Sequence, residues 1–319
     1  MSTASAAIDL SGVTKTFGSL TAVDRLDLTI PRGALYGFIG PNGAGKTTAI
    51  RMIMSILLPD SGELRVLGHA SALEAKDRIG YLPEERGLYR KMKVAAYLTF
   101  IARLKGVTER GLSDRVHSAI ERIGLKGVEG KRCEELSKGM SQKIQILAAT
   151  IHEPDLLILD EPFSGLDPVS TRLLKDLILT EHRRGATVLF STHVMPQAEE
   201  LCDHVVMIHR GRKMLDDPVS SILRPHDSRA LTFELLDPKA DVRAVAALPE
   251  IAHCVRVESR YEAALRDGVD AARAMQAVLA AVPVARIELK RRSLEDVFVA
   301  IVAGAEGERA PAAGDKAAA

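Results

Sequence analysis

Apolar and polar positions alternate along residues 8–15 and again along 23–30, where Leu26, Leu28 and Ile30 share one face. Both stretches read as strands of a half-buried sheet. The pattern then changes. Residues 34–39 form an apolar run suited to a buried strand, and after a glycine-rich stretch Ile50, Ile53, Met54 and Leu57 recur at helical spacing. Pro59-Asp60-Ser61-Gly62 marks a turn, and short strands are predicted at 63–67 and 78–82. From 94 to about 123 the period is helical: Val94, Tyr97, Leu98, Ile101 and Leu104, then Val116, Ile120 and Ile123, punctuated by Gly106 and Gly111. This predicts a helical insertion, over about 91–145, within an α/β core. A further helix opens at 136–142 and turns Ile144, Leu147 and Ala148 inward; Ser137 suits its N-cap. Residues 156–159 and 186–190 read as buried strands, 169–183 as a helix with Pro168 at its first position, and 203–208 and 213–215 as closing strands.

Residues 224–229 carry proline and charge without an apolar period, and mark a predicted domain boundary. Beyond it, strands at 230–236, 251–259, 261–266 and 284–290 alternate with helices at 239–248, 270–282 and 294–302. The β-α-β-β-α-β order predicts a small ferredoxin-like α+β module. The expected division is therefore 1–224, 225–303, and a disordered, Ala- and Gly-rich tail at 304–319.

The glycine-rich stretch Gly40-Pro41-Asn42-Gly43-Ala44-Gly45-Lys46-Thr47-Thr48 fits G-x-x-x-x-G-K-[ST] and lies between a predicted strand and a predicted helix. Glycines let the backbone turn its N–H groups toward one centre, and the helix start adds the positive end of its dipole. Lys46 supplies a point charge for β and γ phosphates, and the Thr47 hydroxyl is placed to hold Mg²⁺. The apolar run at 156–159 ends in Asp160 and Glu161. In parallel α/β sheets ligands sit at that end. Asp160 suits a Mg²⁺ partner, and Glu161 suits a base that orients water against the γ-phosphate. His193, at the end of the next apolar strand, is a candidate γ-phosphate sensor. Phe17 suits either stacking on an adenine ring or capping a strand edge. Gly139 would let a ligand approach the backbone, though taken alone 136–142 reads as a helix cap.

Composition narrows the function. With 319 residues, 43 basic and 42 acidic, the net charge of +1 argues against a bulk nucleic-acid binder. Cys133, Cys202 and Cys254 lack metal-ligand spacing and suit reduced thiols of a cytosolic protein. The first seven residues lack a secretory pattern. The longest apolar run near the C-terminal end, 277–285, is too short to span a bilayer, so a membrane role must come through a partner.

Taken together, residues from about 8 to 223 resemble the nucleotide-binding domain of ABC transporters, with the marks in order: Phe17, the P-loop, Glu84, Leu136 to Met140, Asp160-Glu161, Ser164 to Asp167, and His193. The 136–142 segment separates this family from other P-loop NTPases. The resemblance implies an ABC-type P-loop fold, ATP and Mg²⁺ as ligands, and two domains that sandwich two nucleotides. Ser137 and Gly139 of one protomer would then touch the γ-phosphate on the other's P-loop. It also implies a homodimer, or a heterodimer with a paralogue, on a transmembrane permease whose coupling helix docks near 84–89. Two positions depart from the family pattern. Glu84 stands where the family has glutamine, still able to coordinate Mg²⁺, and the signature reads Leu-Ser-Lys-Gly-Met. Lys138 could offset the Glu84 charge or reach phosphate itself. Both departures, and the C-terminal module, resemble the ABC-2-type exporter subgroup of sodium-extrusion and drug-resistance systems. The implied location is the cytoplasmic face of the inner membrane, peripherally bound, with no nucleic acid. A soluble ABC ATPase acting on DNA or the ribosome is the alternative; the single P-loop and the lack of a heptad run between Lys46 and Asp160 weigh against it. Intact Glu161 and His193 weigh against a regulator that does not hydrolyse.

Overall fold

Strict alternation at the start of the chain produces a long antiparallel hairpin, β1 (Ala6–Phe17) and β2 (Leu20–Pro31), closed by a two-residue turn at Gly18 and Ser19. The buried run that follows is β3 (Leu35–Ile39), and it feeds through the glycine loop into α1 (Lys46–Ile53). β4 (Ser61–Val66) then returns to pair with β1. After a 3₁₀ stretch at Ala72–Arg78 come β5 (Ile79–Leu82), α2 (Val94–Leu104), α3 (Leu112–Arg122) and α4 (Lys138–Thr150). The chain re-enters the core through β6 (Leu156–Leu159), α5 (Pro168–Arg184), β7 (Thr187–Thr192), α6 (Met195–Leu201), β8 (His204–His209), β9 (Arg212–Pro218) and the short α7 (Val219–Ile222). This computed structural model describes residues 6–85, 87–108, 110–223, 230–238, 240–290 and 293–307. The predicted boundary at 224–229 and the end of the predicted tail, 308–319, lie outside them.

Two sheets carry the first unit, which among the described residues takes in 6–219 and 301–307. One is antiparallel, in the order β2-β1-β4; the other has the order β5-β6-β7-β3-β8-β9, parallel apart from β9. Strands β3, β6 and β7 are buried on both faces, which is why they read as unbroken apolar runs. The helical insertion has its own core of Val94, Leu98, Val116, Ile120, Ile144 and Leu147. Leu104, expected on the inner face, is exposed: it is the last residue of α2, where the helix stops and the face turns to solvent. Helix α5 is cut out by local signals, an Asp167 cap accepting from Ser170 N at 2.9 Å and a left-handed Gly185 at its end. Helix α6 was not foreseen. Seven residues show no period, and Pro196, which reads as a breaker in sequence, sits in the first turn where its missing N–H costs nothing.

The second unit, residues 220–300, contains β10 (Ala230–Leu235), α8 (Arg243–Ala246), β11 (Ile251–Val257), β12 (Arg260–Leu265), α9 (Ala271–Ala281), β13 (Val284–Leu289) and the start of α10 (Leu294–Gly307). Its sheet is antiparallel throughout, in the order β11-β12-β10-β13, over a core of Leu231, Phe233, Val245, Ile251, Ala274 and Val278. Two boundaries move. The helix predicted at 239–248 is one turn, and α10 runs to Gly307, so four residues of the predicted tail are helical.

His152 closes α4 against the sheet: its Nε2 donates to the Ile79 carbonyl at 3.2 Å, and the ring is 9% exposed. Burial, with the Lys105 ammonium nearby, lowers its pKa from 6.5 to about 4. Below pH 6.5 the unfolded chain binds a proton that the fold refuses, so this contribution is full above pH 6.5 and is lost as pH falls through about 4. His152→Gln should flatten the acid side of the stability profile by up to about 3 kcal/mol between pH 7 and pH 4. Urea denaturation across that range checks it.

Candidate active site

The parallel sheet sends β5, β6, β7 and β3 to one edge, and each strand leaves it with a polar residue the sequence had singled out. From β3 comes the glycine loop. A β-carbon on Gly40 would lie 2.2 Å from the Ile208 carbonyl oxygen and one on Gly45 2.3 Å from that of Ala22, so any larger residue would push the loop off its supports. The turn between β8 and β9 buttresses it, with Gly211 N donating to Ala44 O at 2.8 Å and Asp24 N to Gly211 O at 2.9 Å. The loop, Phe17, Leu20, Glu84, Glu161 and Arg210 line a cleft of about 520 Å³. Phe17 stands half exposed at its mouth.

Within the cleft the Lys46 ammonium donates to the carbonyls of Gly40 at 2.7 Å and Pro41 at 3.2 Å, and lies 3.5 Å from Glu161 Oε1. The Thr47 hydroxyl lies 3.3 Å from both Glu84 Oε2 and Asp160 Oδ1. Glu161 Oε2 meets His193 Nδ1 at 3.0 Å. Sequence reasoning missed Ser191. Its buried hydroxyl donates to Asp160 Oδ1 at 2.5 Å and accepts from Glu161 N at 2.9 Å, so one oxygen sets both carboxylates. A serine inside an apolar strand was the available signal. Arg210 and Gly211 fall in sequence merely between two predicted closing strands; their place at the cleft depends on β8 lying beside β3.

Burial raises the Asp160 pKa, helped by the charges of Glu84 and Glu161 and opposed by the Ser191 and Thr47 hydroxyls. Its Oδ2 is buried and has no hydrogen-bond partner. A hydroxyl and two carboxylates, one with an unpartnered oxygen, are hard donors that fit Mg²⁺. No cluster of three or more His, Cys, Asp or Glu that could hold a metal ion occurs among the described residues.

Ser137 and Gly139 are not part of this cleft. They sit at the start of α4, where Ser137 Oγ caps Met140 N at 3.3 Å and faces solvent. Lys138 also stays out of the cleft, with its Nζ over Gly165, so within one chain it does not offset Glu84.

The ABC transporter family profile matches residues 23–164. An uncharacterised ABC transporter ATP-binding protein, YhaQ of Bacillus subtilis, is 44% identical over 71% of this chain and 76% of its own length. The chain belongs to the ABC transporter ATP-binding proteins. Nod factor export ATP-binding protein I of a Rhizobium species is 35% identical over 69% of this chain and 73% of its own. A solved ATP-binding subunit of an ABC transporter superposes with a TM-score of 0.63 at 28% identity, over 69% of this chain and 92% of its own. The first unit is thus an ABC ATPase, the enzyme that hydrolyses ATP to drive transport.

For this ABC ATPase the raised Asp160 pKa has a definite sign. A carboxyl whose folded pKa lies above 3.8 loses stability as pH rises through the folded value, because the ionised form is the disfavoured one. Asp160→Asn should therefore raise the thermal midpoint at neutral pH while weakening Mg²⁺-dependent nucleotide binding; calorimetry with and without Mg²⁺-ATP reads both. Ser191→Ala removes the shared hydroxyl and should cost about 1–3 kcal/mol in urea denaturation, with a larger loss of hydrolysis than of ATP binding.

Proposed function

We propose that this chain is the ATP-hydrolysing subunit of an ABC-2-type exporter, working as a dimer bound peripherally to a membrane permease at the cytoplasmic face of the inner membrane. The observation that carries the site assignment is the convergence of Lys46, Thr47, Asp160, Glu161 and His193 on one sheet edge. Phe17 stacks on the adenine. The backbone of residues 40–48 cradles the phosphates, and Lys46 turns its ammonium from the Gly40 and Pro41 carbonyls to the β and γ oxygens. Thr47, Asp160 and Glu84 would hold Mg²⁺, which when bound would neutralise charge on those oxygens. Glu161 orients a water in line with the terminal phosphoryl group and takes its proton as that group passes to the water oxygen, releasing ADP and phosphate. His193, hydrogen-bonded to Glu161, holds the γ-phosphate.

The exposed position of Ser137 and the partly exposed position of Gly139 support a role in the partner's nucleotide site. No described helix is long and apolar enough to cross a membrane. Exposed Tyr89, which follows the Glu84 loop, packs edge-on against exposed Phe100 at 5.8 Å and against the buried Tyr97 ring at 6.0 Å, and this aromatic surface supports permease docking there. The exporter reading rests on the Nod factor export relative and on the subgroup's signature; the C-terminal module joins this proposal as an accessory domain.

Glu161→Gln should keep ATP binding, accumulate an ATP-bound dimer on size-exclusion chromatography and hydrolyse at least about a hundredfold more slowly. A monomeric variant with normal turnover would contradict both roles. Lys46→Ala should lose nucleotide binding, read by calorimetry. Glu84→Ala should weaken Mg²⁺-dependent ATP binding less than Asp160→Asn does and lose permease stimulation; unaltered stimulation in reconstituted vesicles would remove Glu84 from the coupling loop.

A further inference from the structure

We infer that Gln142 is a positioning residue for Glu161, acting from helix α4 through the peptide that follows the carboxylate. The inference rests on the reading of Glu161 as the water-orienting base. Gln142 is fully buried, and its side-chain amide donates to the carbonyl of Pro162, the next residue after Glu161. Glu161 needs such a restraint. Its φ is 48°, in the left-handed region that costs a residue with a β-carbon, and such conformations persist only where the surroundings over-determine them. On its N-terminal side Ser191 Oγ holds the amide, and at its head His193 and Lys46 hold the oxygens. Gln142 supplies the restraint on the C-terminal side.

One turn earlier on the same helix, the Lys138 side chain lies beside the rest of this loop. A β-carbon on Gly165 would lie 3.1 Å from Lys138 Nζ, and Gly165 itself has φ of +72°. Between the two contacts the loop folds on itself, with Ser164 N donating to Glu161 O at 3.2 Å and the Phe163 ring edge-on to Phe190 at 5.7 Å. The loop ends where Asp167 caps α5. Helix α4 thus carries the exposed Ser137 and the partly exposed Gly139 at its tip and holds the loop after Glu161 one turn inside. A shift of that first turn, caused by a nucleotide bound to another protomer, reaches Glu161 through the Gln142 amide. Lys138, in the position where the family pattern has glycine, acts within its own chain.

Gln142→Met keeps side-chain length and volume and removes the donor. In the full-length chain we expect kcat to fall tenfold or more, with the ATP dissociation constant unchanged within twofold. Hydrogen exchange of amides 163–167 should be faster in the nucleotide-free protein. Lys138→Met should speed exchange at 164–166, and Lys138→Arg should restore it. Loss of ATP affinity in proportion to kcat would mean general damage to the site and overturn the inference. So would wild-type kcat and exchange in Gln142→Met beside a slow Glu161→Gln. If Glu161→Gln turns over normally, the base reading fails before this one is tested. Should Gln142→Met not fold, unchanged exchange in Lys138→Met, an exposed position, would still count against the loop being gripped from α4.

Discussion

Three formal charges, Lys46, Asp160 and Glu161, are buried side by side at the end of one parallel sheet, at 5%, 0% and 7% exposure. Taking an ion out of water costs several kcal/mol even after the protein relaxes, so the surrounding structure has to answer it. The answer is partial. Lys46 finds two carbonyls and Glu161; Asp160 shares one oxygen between Ser191 and Thr47 and leaves the other unpartnered. A site left in this state favours whatever brings a cation to Asp160 and phosphate to Lys46. Under the proposed function, Mg²⁺ with a polyphosphate would relieve that electrostatic deficit.

The parallel sheet makes the arrangement possible because four strands end together while their connections leave on different sides. The glycine loop is pinned from β2 and from the β8–β9 turn, and Ser191 ties the end of β7 to the end of β6. Each tie uses backbone or a short buried hydroxyl. Both are stiff, and a catalytic carboxylate must be held to within a fraction of an ångström of its working position.

The helical insertion has a core separate from that of the sheet, so it can present residues outward without disturbing the cleft. Its helix α4 faces both ways, with Ser137 exposed and Gly139 partly exposed at its start and Gln142 turned toward the loop that follows Glu161. In this chain Glu84 keeps company with Thr47, while the Lys138 ammonium lies beside Gly165, outside the cleft. The two departures from the family pattern are therefore separate local features, not a compensating pair.

Much of this protein is written in local pattern. The P-loop, the run 156–161 and the buried strands are readable because they depend on residue type at fixed short spacing: glycine where a β-carbon collides, apolar runs where both faces are covered. Helix α5 was legible for the same reason, with its cap, proline and terminal glycine all in sequence. Tertiary structure decided what depends on strand order. Ser191 looks like one more residue of a buried strand until β7 is set beside β6; only then does its hydroxyl lie between Asp160 and Glu161. Arg210 and Gly211 look like a turn until β8 lies against β3. The left-handed conformation of Glu161 carries no sequence mark either, because glutamate has no preference for it. It is imposed by contacts from β7, from the glycine loop and from α4, segments far apart in the chain that meet only when the sheet has closed.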